Sequence, residues 1–498
     1  MFFDDHYFFG QILGNIKIMV FSSVSFLFYF LPIFLSLYFF SRFRNAFLLI
    51  CSLLFYAWGE IEYVFLLIFS CFANYIIGLL IEKFRNRWDR IFLSAGIVIN
   101  LLVIGGYKYL SFIIDSINSL LNLLNFPLIE KIIVHLPLGI SFFTFQAISY
   151  LIDVYRKNAP VEKNPINVAL YISMFPQLVA GPIVRFSTIT RQIHNRTVTC
   201  SKFAEGIKFF IIGLSQKMLV ANSVAKAVDG IFQIPSHALD ATLSWTAAIC
   251  YSVQIYFDFS GYSHMAIGLG LMMGFNLPEN FNYPYISQSI TEFWKRWHIT
   301  LSSWFRDYLY IPLGGNKKGK QRTYINLVIV FFLCGLWHGA SWTFVVWGLY
   351  HGVFMVFERM GINKILQRIP RILRHLYCLG IVSIGWILFR AETFDRAGKH
   401  IQAMVGFGSG EGNLYPLGKF IQPDVLIALF VGILCSIPII DGFSGLMENF
   451  ISKKLPIIYE CWQIVSKPLK ILFLIFIFAM SIMGLSAGAY NPFIYFRF

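Results

Sequence analysis

Long apolar stretches, separated by short polar breaks, recur along the whole chain. A helix that crosses a bilayer needs roughly 20 predominantly apolar residues, and several of the stretches approach or exceed that length. The composition agrees, since 57% of the residues are hydrophobic and 13% are charged, whereas a soluble domain carries about 25% charged residues. These properties exclude a soluble enzyme, a disordered protein and a nucleic-acid-binding protein. They predict an all-α, polytopic integral membrane protein.

The apolar stretches predict about 11–12 transmembrane helices. They lie near residues 21–40, 46–58, 64–81, 91–107, 136–154, 203–221, 244–275, 323–337, 341–358, 376–389, 425–440 and 471–489. We expect the stretch 244–275 to be one crossing that is broken at Phe259-Ser260-Gly261. Prolines and glycines interrupt other segments at Pro137–Gly139, Phe175–Pro182 and Pro312–Gly315. Because irregular backbone at membrane depth is tolerated only where it is buried or lines a cavity, these breaks predict re-entrant or interfacial helices around a polar funnel.

Basic residues are concentrated in alternate loops of this map. If the N-terminus lies outside, most of the 40 Lys and Arg residues fall in loops on the inner side. Cytoplasmic loops of membrane proteins carry an excess of Lys and Arg. We therefore predict that both termini face outward, and we interpret the net charge of +15 as a topology signal.

Residues 1–18 differ in character from the rest of the chain. Met19-Val20-Phe21 resembles a natural start, so we interpret residues 1–18 as an N-terminal extension, either a disordered tail or the product of a misassigned start codon. The first apolar run, Phe21–Phe40, is too long for a cleavable signal peptide and lacks a small-residue cleavage site after it. Residues 19–498 are predicted to form a single transmembrane domain.

Polar side chains within apolar segments are candidate functional residues, because burying them in a membrane is expensive. The segment 288–316 combines tryptophans with Lys295, Arg296 and His298. Its large apolar residues recur at helical spacing, at Trp294, Trp297, Leu301 and Trp304. This pattern predicts one amphipathic or re-entrant helix on the cytoplasmic side, which serves either as an interface anchor or as the wall of a site for an anionic donor.

Two further polar residues lie inside apolar helices. His338 ends a predicted helix between Trp337 and Gly339, where an imidazole can either bond a backbone carbonyl or act in catalysis. Asp258 lies in the middle of a crossing, so its carboxyl group must be paired, neutral or solvated. The eight cysteines form no CxxC pair, and no P-loop or dinucleotide fingerprint is present. We therefore predict no bound metal or cofactor.

Several long motifs together resemble the membrane-bound O-acyltransferase superfamily, and within it the alginate O-acetyltransferase branch. They are PLGISFFTFQAISYLIDVYR (137–156), FPQLVAGPIVRF (175–186), QIYFDFSGYS (254–263), ENFNYPYISQSITEFWKRWHITLSSWFRDYLYIPLGGN (279–316), LWHGASWTFVVWGLYHG (336–352) and NPFIYFRF (491–498). The resemblance extends from Met19 to Phe498. It implies that residues 19–498 form one acyltransferase domain, with the family's apolar-helix histidine at His338 and its second histidine at His298.

The resemblance implies an O-acetyltransferase of the bacterial inner membrane. Such a protein would take acetyl from cytoplasmic acetyl-CoA and pass it across the membrane for O-acetylation of an exported polysaccharide, with alginate as the first expectation. Peptidoglycan or another cell-surface glycan is an alternative acceptor. A transporter of polymer or lipid-linked sugar is an alternative of another class, although we find no paired halves of the kind common in transporters. The implied partners are a periplasmic, hydrolase-like (SGNH) acetyltransferase and a polysaccharide synthesis and export complex.

The implied chemistry assigns roles to the polar residues. A thioester is already activated, so the protein must position it and remove a proton from the attacking hydroxyl, a task that suits a neutral imidazole. We expect His338 to be the main base, His298 the second, and Asp258 a supporting acid. The phosphates of CoA are expected to be attracted by a group of basic residues, namely Lys295, Arg296, Lys317, Lys318, Lys320 and Arg322.

In the sequence of the C-terminal tail, several aromatic residues stand close to Tyr495. Tyr and Phe at the end of a span are common interface anchors. The tail also resembles the C-terminal motif of the small membrane peptide that accompanies the related acyltransferase in teichoic-acid D-alanylation. This resemblance implies a second interpretation, in which the Tyr495 hydroxyl loses its proton to His338 and carries the acetyl group as a covalent relay.

Overall fold

The computed structural model describes residues 19–408, 414–439 and 456–487, with the backbone alone for residues 456–464. Every regular element in these ranges is helical, and none of them contains a strand. This confirms the all-α fold class. The N-terminal extension at residues 1–18 and the predicted relay residue Tyr495 lie outside the described residues.

The helices fall into two compact units. The first comprises the described residues up to Ala204 together with Leu269–Leu277. Its helices are α1 (Leu31–Phe40), α2 (Arg44–Ala57), α3 (Val64–Lys83), α4 (Asp89–Ile104), α5 (Leu110–Leu123), α6 (Ile140–Tyr155), α7 (Pro165–Ser173), α8 (Phe175–Leu178) and α9 (Phe186–His194). The helix α6 follows the predicted break at Pro137–Gly139, and its residues from Ile140 to Val154 are all buried.

The second unit comprises Glu205–Gly268 and the described residues from Pro278 onward. Two helices, α10 (Cys200–Ser215) and α12 (Ala241–Met272), contribute residues to both units. The others are α11 (Asn222–Phe232), α13 (Ile290–Arg296), α14 (Ile299–Phe305), α15 (Lys320–His338), α16 (Trp342–Phe357), α17 (Asn363–Leu366), α18 (Arg371–Arg390), α19 (Phe394–Met404), α20 (Pro423–Cys435) and α21 (Pro456–Ser486).

Every predicted apolar stretch overlaps a helix. Within the described residues, five helical segments are long and apolar enough to cross a membrane: Val64–Lys83, Asp89–Leu123, Cys200–Phe232, Arg371–Arg390 and Val465–Ser486. Shorter apolar helices lie at Ser25–Phe40, Arg44–Ala57, Ile140–Tyr155 and Pro423–Cys435. The chain is therefore a multi-pass membrane protein.

The predicted break at Phe259-Ser260-Gly261 is wrong, because α12 is a continuous helix of 32 residues. Gly261 permits a close helix contact instead. A Cβ atom added at Gly261 would lie 2.7 Å from the carbonyl oxygen of Gly213 on α10, and one added at Gly268 would lie 2.5 Å from the carbonyl oxygen of Gly206. Small residues let membrane helices approach through their backbones, so these glycines pack α12 against α10.

Candidate active site

His338 is held in an aromatic cage at the C-terminal end of α15. Its imidazole is buried, and its ring centroid lies 4.9 Å from that of Trp337, 5.0 Å from that of Trp347 and 5.4 Å from that of Phe389. All three rings meet the imidazole nearly edge to face, an arrangement that aromatic quadrupoles favour. The helix ends here because Gly339 adopts an extended conformation. The cage fixes the imidazole and keeps bulk water away from it.

His298 lies at a sharp break between α13 and α14. Its backbone is left-handed, with φ 44° and ψ 55°, and its side chain is fully buried. The single helix predicted across Trp294–Trp304 is therefore wrong. At this turn the buried imidazole points inward, and its Nδ1 atom lies 3.0 Å from Oδ1 of Asn280.

The tryptophans of this segment are buried within the protein. The exposed fraction of Trp294, Trp297 and Trp304 does not exceed 7%. Trp297 stacks on Phe293 at 5.6 Å and packs against Trp386 at 4.8 Å. These contacts favour the second of the two interpretations drawn from the sequence, in which the segment forms the wall of a site.

The structure brings the two predicted histidines to one place. Trp337 contacts both, with its ring centroid 6.0 Å from that of His298 and 4.9 Å from that of His338. Sequence reasoning missed Asn280, the partner of His298. Its only signal was an amide between Glu279 and Phe281 in the motif that begins at Glu279.

A cavity of about 310 Å³ is lined by Ile299, the residue that follows His298, but by neither histidine. Its apolar wall includes Trp294, Phe331 and Cys334, and three cations line it, namely Lys295, Arg306 and Arg359. Cys334 precedes His338 by one helical turn on α15, so both residues lie on the same face of that helix. Along α15 the lining of the cavity extends as far as Cys334, one helical turn before the caged histidine.

The predicted donor-binding residues divide into three groups. Lys295 lines the cavity. Arg296 forms an ion pair with Glu292, with Nε 3.0 Å from Oε1, and donates a second hydrogen bond to the carbonyl oxygen of Asn282. The remaining four are exposed on the turn before α15 and on its first residues: Lys317, Lys318, Lys320 and Arg322.

Sequence reasoning missed the other two cations of the cavity, Arg306 and Arg359. Both lie in π-helical turns, Arg306–Tyr310 and Glu358–Ile362, which are rare and frequently occur at functional sites. Hydrogen bonds to Asp307 raise the pKa of the Arg306 guanidinium, so it stays charged. Glu358 anchors the wall by accepting hydrogen bonds from the backbone amides of Ile290 and Thr291 at the start of α13.

The carboxyl group of Asp258 forms an ion pair, which is one of the three states expected from the sequence. Its Oδ1 atom lies 2.5 Å from Nζ of Lys217, and both side chains are buried. The pair joins α12 to the π-helical turn Gln216–Ala221. Within the described ranges, no three His, Cys, Asp or Glu side chains come together as a candidate metal site.

Comparison with known proteins identifies the family. The model of the membrane-bound O-acyltransferase family matches residues 156–369, which contain both histidines and the cavity. The "Probable alginate O-acetylase AlgI" of Pseudomonas putida is 42% identical over 96% of this chain and 100% of its own length. The protein of the same name from Pseudomonas aeruginosa is 40% identical over the same shares. The peptidoglycan O-acetyltransferase of Helicobacter pylori is 37% identical over 79% of this chain and 81% of its own length. The chain therefore belongs to the membrane-bound O-acyltransferase family.

Proposed function

We propose that this protein is an inner-membrane O-acetyltransferase that takes acetyl groups from acetyl-CoA for the O-acetylation of alginate. The observation that carries the proposal is the juxtaposition of two buried histidines with a cavity that has an apolar wall and three cations. The identity of 40–42% to two alginate O-acetylases over almost the whole chain supports the acceptor. The 37% identity to a peptidoglycan O-acetyltransferase makes peptidoglycan the second candidate acceptor, with the same chemistry.

The proposed reaction needs a base and little else, because a thioester is already an activated acyl donor. The hydroxyl oxygen of the acceptor attacks the acetyl carbonyl, and its proton passes to an imidazole nitrogen. The carbon–sulfur bond then breaks, and the imidazolium gives this proton to the departing thiolate, which yields free CoA and restores the neutral imidazole. We assign the main base to His338 and a second role to His298. Buried, neutral imidazoles suit this task, since desolvation disfavours their charged form.

The cavity is proposed to receive the donor. Its apolar wall at Trp294, Phe331 and Cys334 suits the pantetheine arm, while Lys295 and Arg359 suit the phosphates. Arg306 also lines the cavity, but it is paired with Asp307. This assignment revises the donor set predicted from the sequence. The exposed residues Lys317, Lys318, Lys320 and Arg322 attract the anionic donor at longer range, and Arg296 is engaged by Glu292. Asp258 is proposed to act through its ion pair with Lys217, as a support of the helix packing.

The proposed partners follow from the direction of transfer. The positive-inside pattern predicts that the loop before α15 is cytoplasmic, and we propose that the acetyl group moves from this side toward His338 at the other end of α15. An acetyl group delivered there needs an acceptor on the outer side. We propose a periplasmic, hydrolase-like (SGNH) acetyltransferase that completes transfer to the sugar, within a polysaccharide synthesis and export complex.

The decisive experiment separates an enzyme from a transporter. The full-length protein in lipid nanodiscs, supplied with acetyl-CoA labelled in the acetyl group and with the alginate acetylation partner, should release free CoA and label the polymer. Release that depends on the acceptor supports the proposal. Movement of polymer without release of CoA would identify a transporter, and labelling of peptidoglycan instead of alginate would select the second acceptor.

A further inference from the structure

The side-chain oxygen of Asn280 accepts several hydrogen bonds at once. The backbone amide of Thr300 donates to it at 3.3 Å, and the Thr300 hydroxyl donates at 2.9 Å. A backbone N–H can only donate, so the Asn280 atom that faces it must be the carbonyl oxygen and not the amide nitrogen. This contact fixes the orientation of the Asn280 amide.

The same oxygen determines which nitrogen of His298 carries the hydrogen. Nδ1 of His298 lies 3.0 Å from it, and a carbonyl oxygen can only accept, so Nδ1 must donate. A neutral imidazole has a single N–H group. Nε2 therefore carries the lone pair, and within the described residues this buried atom has no hydrogen-bond partner.

Asn280 is itself held firmly. It is buried, with an exposed fraction of 2%. Its amide nitrogen donates to the Ser263 hydroxyl on α12 at 3.1 Å, and its backbone carbonyl accepts from the amide of Ile299 at 2.9 Å. The second bond links Asn280 directly to the residue after His298. The amide thus has little freedom to move or to rotate.

We infer that Asn280 is a positioning residue that keeps His298 in the Nδ1–H tautomer and so makes its Nε2 atom a proton acceptor in acetyl transfer. The inference rests on the proposed function. When Nε2 takes a proton, Nδ1 continues to donate to Asn280, so the imidazolium forms without any rearrangement of its partners. His298 is thereby prepared to accept a proton from a hydroxyl, whereas the opposite tautomer would present an N–H group to it.

The test compares Asn280→Leu with Asn280→Asp. Leucine has a similar volume and cannot accept a hydrogen bond, so acetyl-CoA-dependent CoA release should fall at least tenfold with little change in KM. Aspartate still accepts from Nδ1 and also stabilises the imidazolium. The Asn280→Asp variant should therefore retain activity, and the acid limb of its pH–rate profile should move to higher pH. A merely structural role of Asn280 predicts no such displacement of the profile.

A readout that is independent of activity is the nitrogen NMR spectrum of His298. Its signals are assigned by their loss in His298→Asn. The native protein should show a protonated Nδ1 and an unprotonated Nε2, and Asn280→Leu should show a mixture or the opposite tautomer. An unchanged tautomer in folded Asn280→Leu would overturn the inference.

A double-mutant cycle separates this inference from the proposed function. If Asn280 acts through His298, the Asn280→Leu substitution should cause no further loss in the His298→Asn background. Full loss in His298→Asn together with native activity in Asn280→Leu would overturn the inference alone. Absence of CoA release from the native protein would instead overturn the proposed function. Elution volume and melting temperature show whether each variant is folded.

Discussion

At the scale of single residues, the left-handed backbone conformation of His298 limits which side chains this position tolerates. A left-handed conformation is uncommon for residues other than glycine, although Asn, Asp and His adopt it more readily than most. Such strain costs about 1–3 kcal/mol and persists where surrounding contacts determine it. At His298 these contacts are the bond to Asn280 and the burial of the ring. Asn is therefore a better replacement than Ala, since it tolerates the conformation and has no basic nitrogen.

The caged histidine gives the most direct prediction at this scale. His338→Gln preserves a planar polar side chain among Trp337, Trp347 and Phe389 but removes the base. CoA release and polymer acetylation should both fall by about 10²–10⁴-fold, with normal insertion into the membrane. The same substitution at an exposed histidine, His237→Gln, provides the matched control and should keep native rates. Near-native acetylation by His338→Gln would contradict the assignment of the main base.

At the scale of elements, the wall formed by α13 and the π-helical turns gives a prediction for donor binding. Arg359→Gln removes one of the three cations of the cavity. A charged hydrogen bond contributes about 1.5–3 kcal/mol, so the KM for acetyl-CoA should rise about 10- to 150-fold. Because the phosphates lie away from the reacting carbonyl, kcat should change little.

The control for this substitution is Lys364→Gln, which removes the same charge from an exposed position on the nearby helix α17. Its KM should remain close to the native value. The effect of Arg359→Gln should also shrink as salt is added, since exposed charges are screened within about 8 Å at physiological ionic strength. Equal effects of the two substitutions would show that only the overall charge matters.

The helix α19 has a built-in pH dependence. His400 on this helix is fully buried and stacks on Phe232 of α11 at 4.4 Å. Burial, aided by the positive charges of Arg396 and Arg390, lowers the pKa of His400 to about 4 from 6.5. The unfolded state therefore binds the proton more readily, and stability should fall as the pH decreases from about 6.5 toward 4.

The expected loss at pH 5 is about 2 kcal/mol relative to pH 7.5, since each pH unit between the two pKa values contributes about 1.4 kcal/mol. His400→Leu removes the titrating group. The decrease in melting temperature between these two pH values should be smaller in His400→Leu than in the native protein. An equal decrease in both proteins would mean that other groups cause the acid sensitivity.

The elements also show what a sequence can and cannot reveal here. Hydropathy is a local property, so every apolar stretch could be placed on a helix. The turn at His298 could not be foreseen, because its contact with Asn280 forms only in the fold. The role of Gly261 depends on the backbone of Gly213 on another helix. Arg306 and Arg359 are distant in sequence and meet only around the cavity.

At the scale of the whole molecule, the distribution of the 40 Lys and Arg residues between alternate loops predicts the orientation in the membrane. Lys318 lies in a predicted cytoplasmic loop, and His237 lies in a predicted periplasmic one; both are exposed. The topology is tested with Lys318→Cys and His237→Cys in a Cys200→Ser background, because Cys200 is exposed. In intact spheroplasts an impermeant thiol reagent should label the His237→Cys protein only. Opening the membrane should expose the second site, whereas labelling of Lys318→Cys before that step would contradict the orientation.

The route of the acetyl group across the membrane leads to a prediction for the tail. The predicted topology places Tyr495 on the outer side, beyond the last span. In the relay hypothesis, the Tyr495 oxygen attacks the acetyl carbonyl of the donor and its proton goes to His338. The carbon–sulfur bond breaks, and His338 passes this proton to the departing thiolate, so CoA leaves as the thiol. The resulting phenyl ester is a reactive donor for a hydroxyl of the partner, so one difficult transfer becomes two easier ones.

The variant Tyr495→Phe keeps an aromatic anchor and removes only the hydroxyl, and it should abolish polymer acetylation at normal protein levels. The native C-terminal peptide should carry an acetyl mass that is absent from this variant, whereas full acetylation by Tyr495→Phe would leave the tail with the role of an anchor.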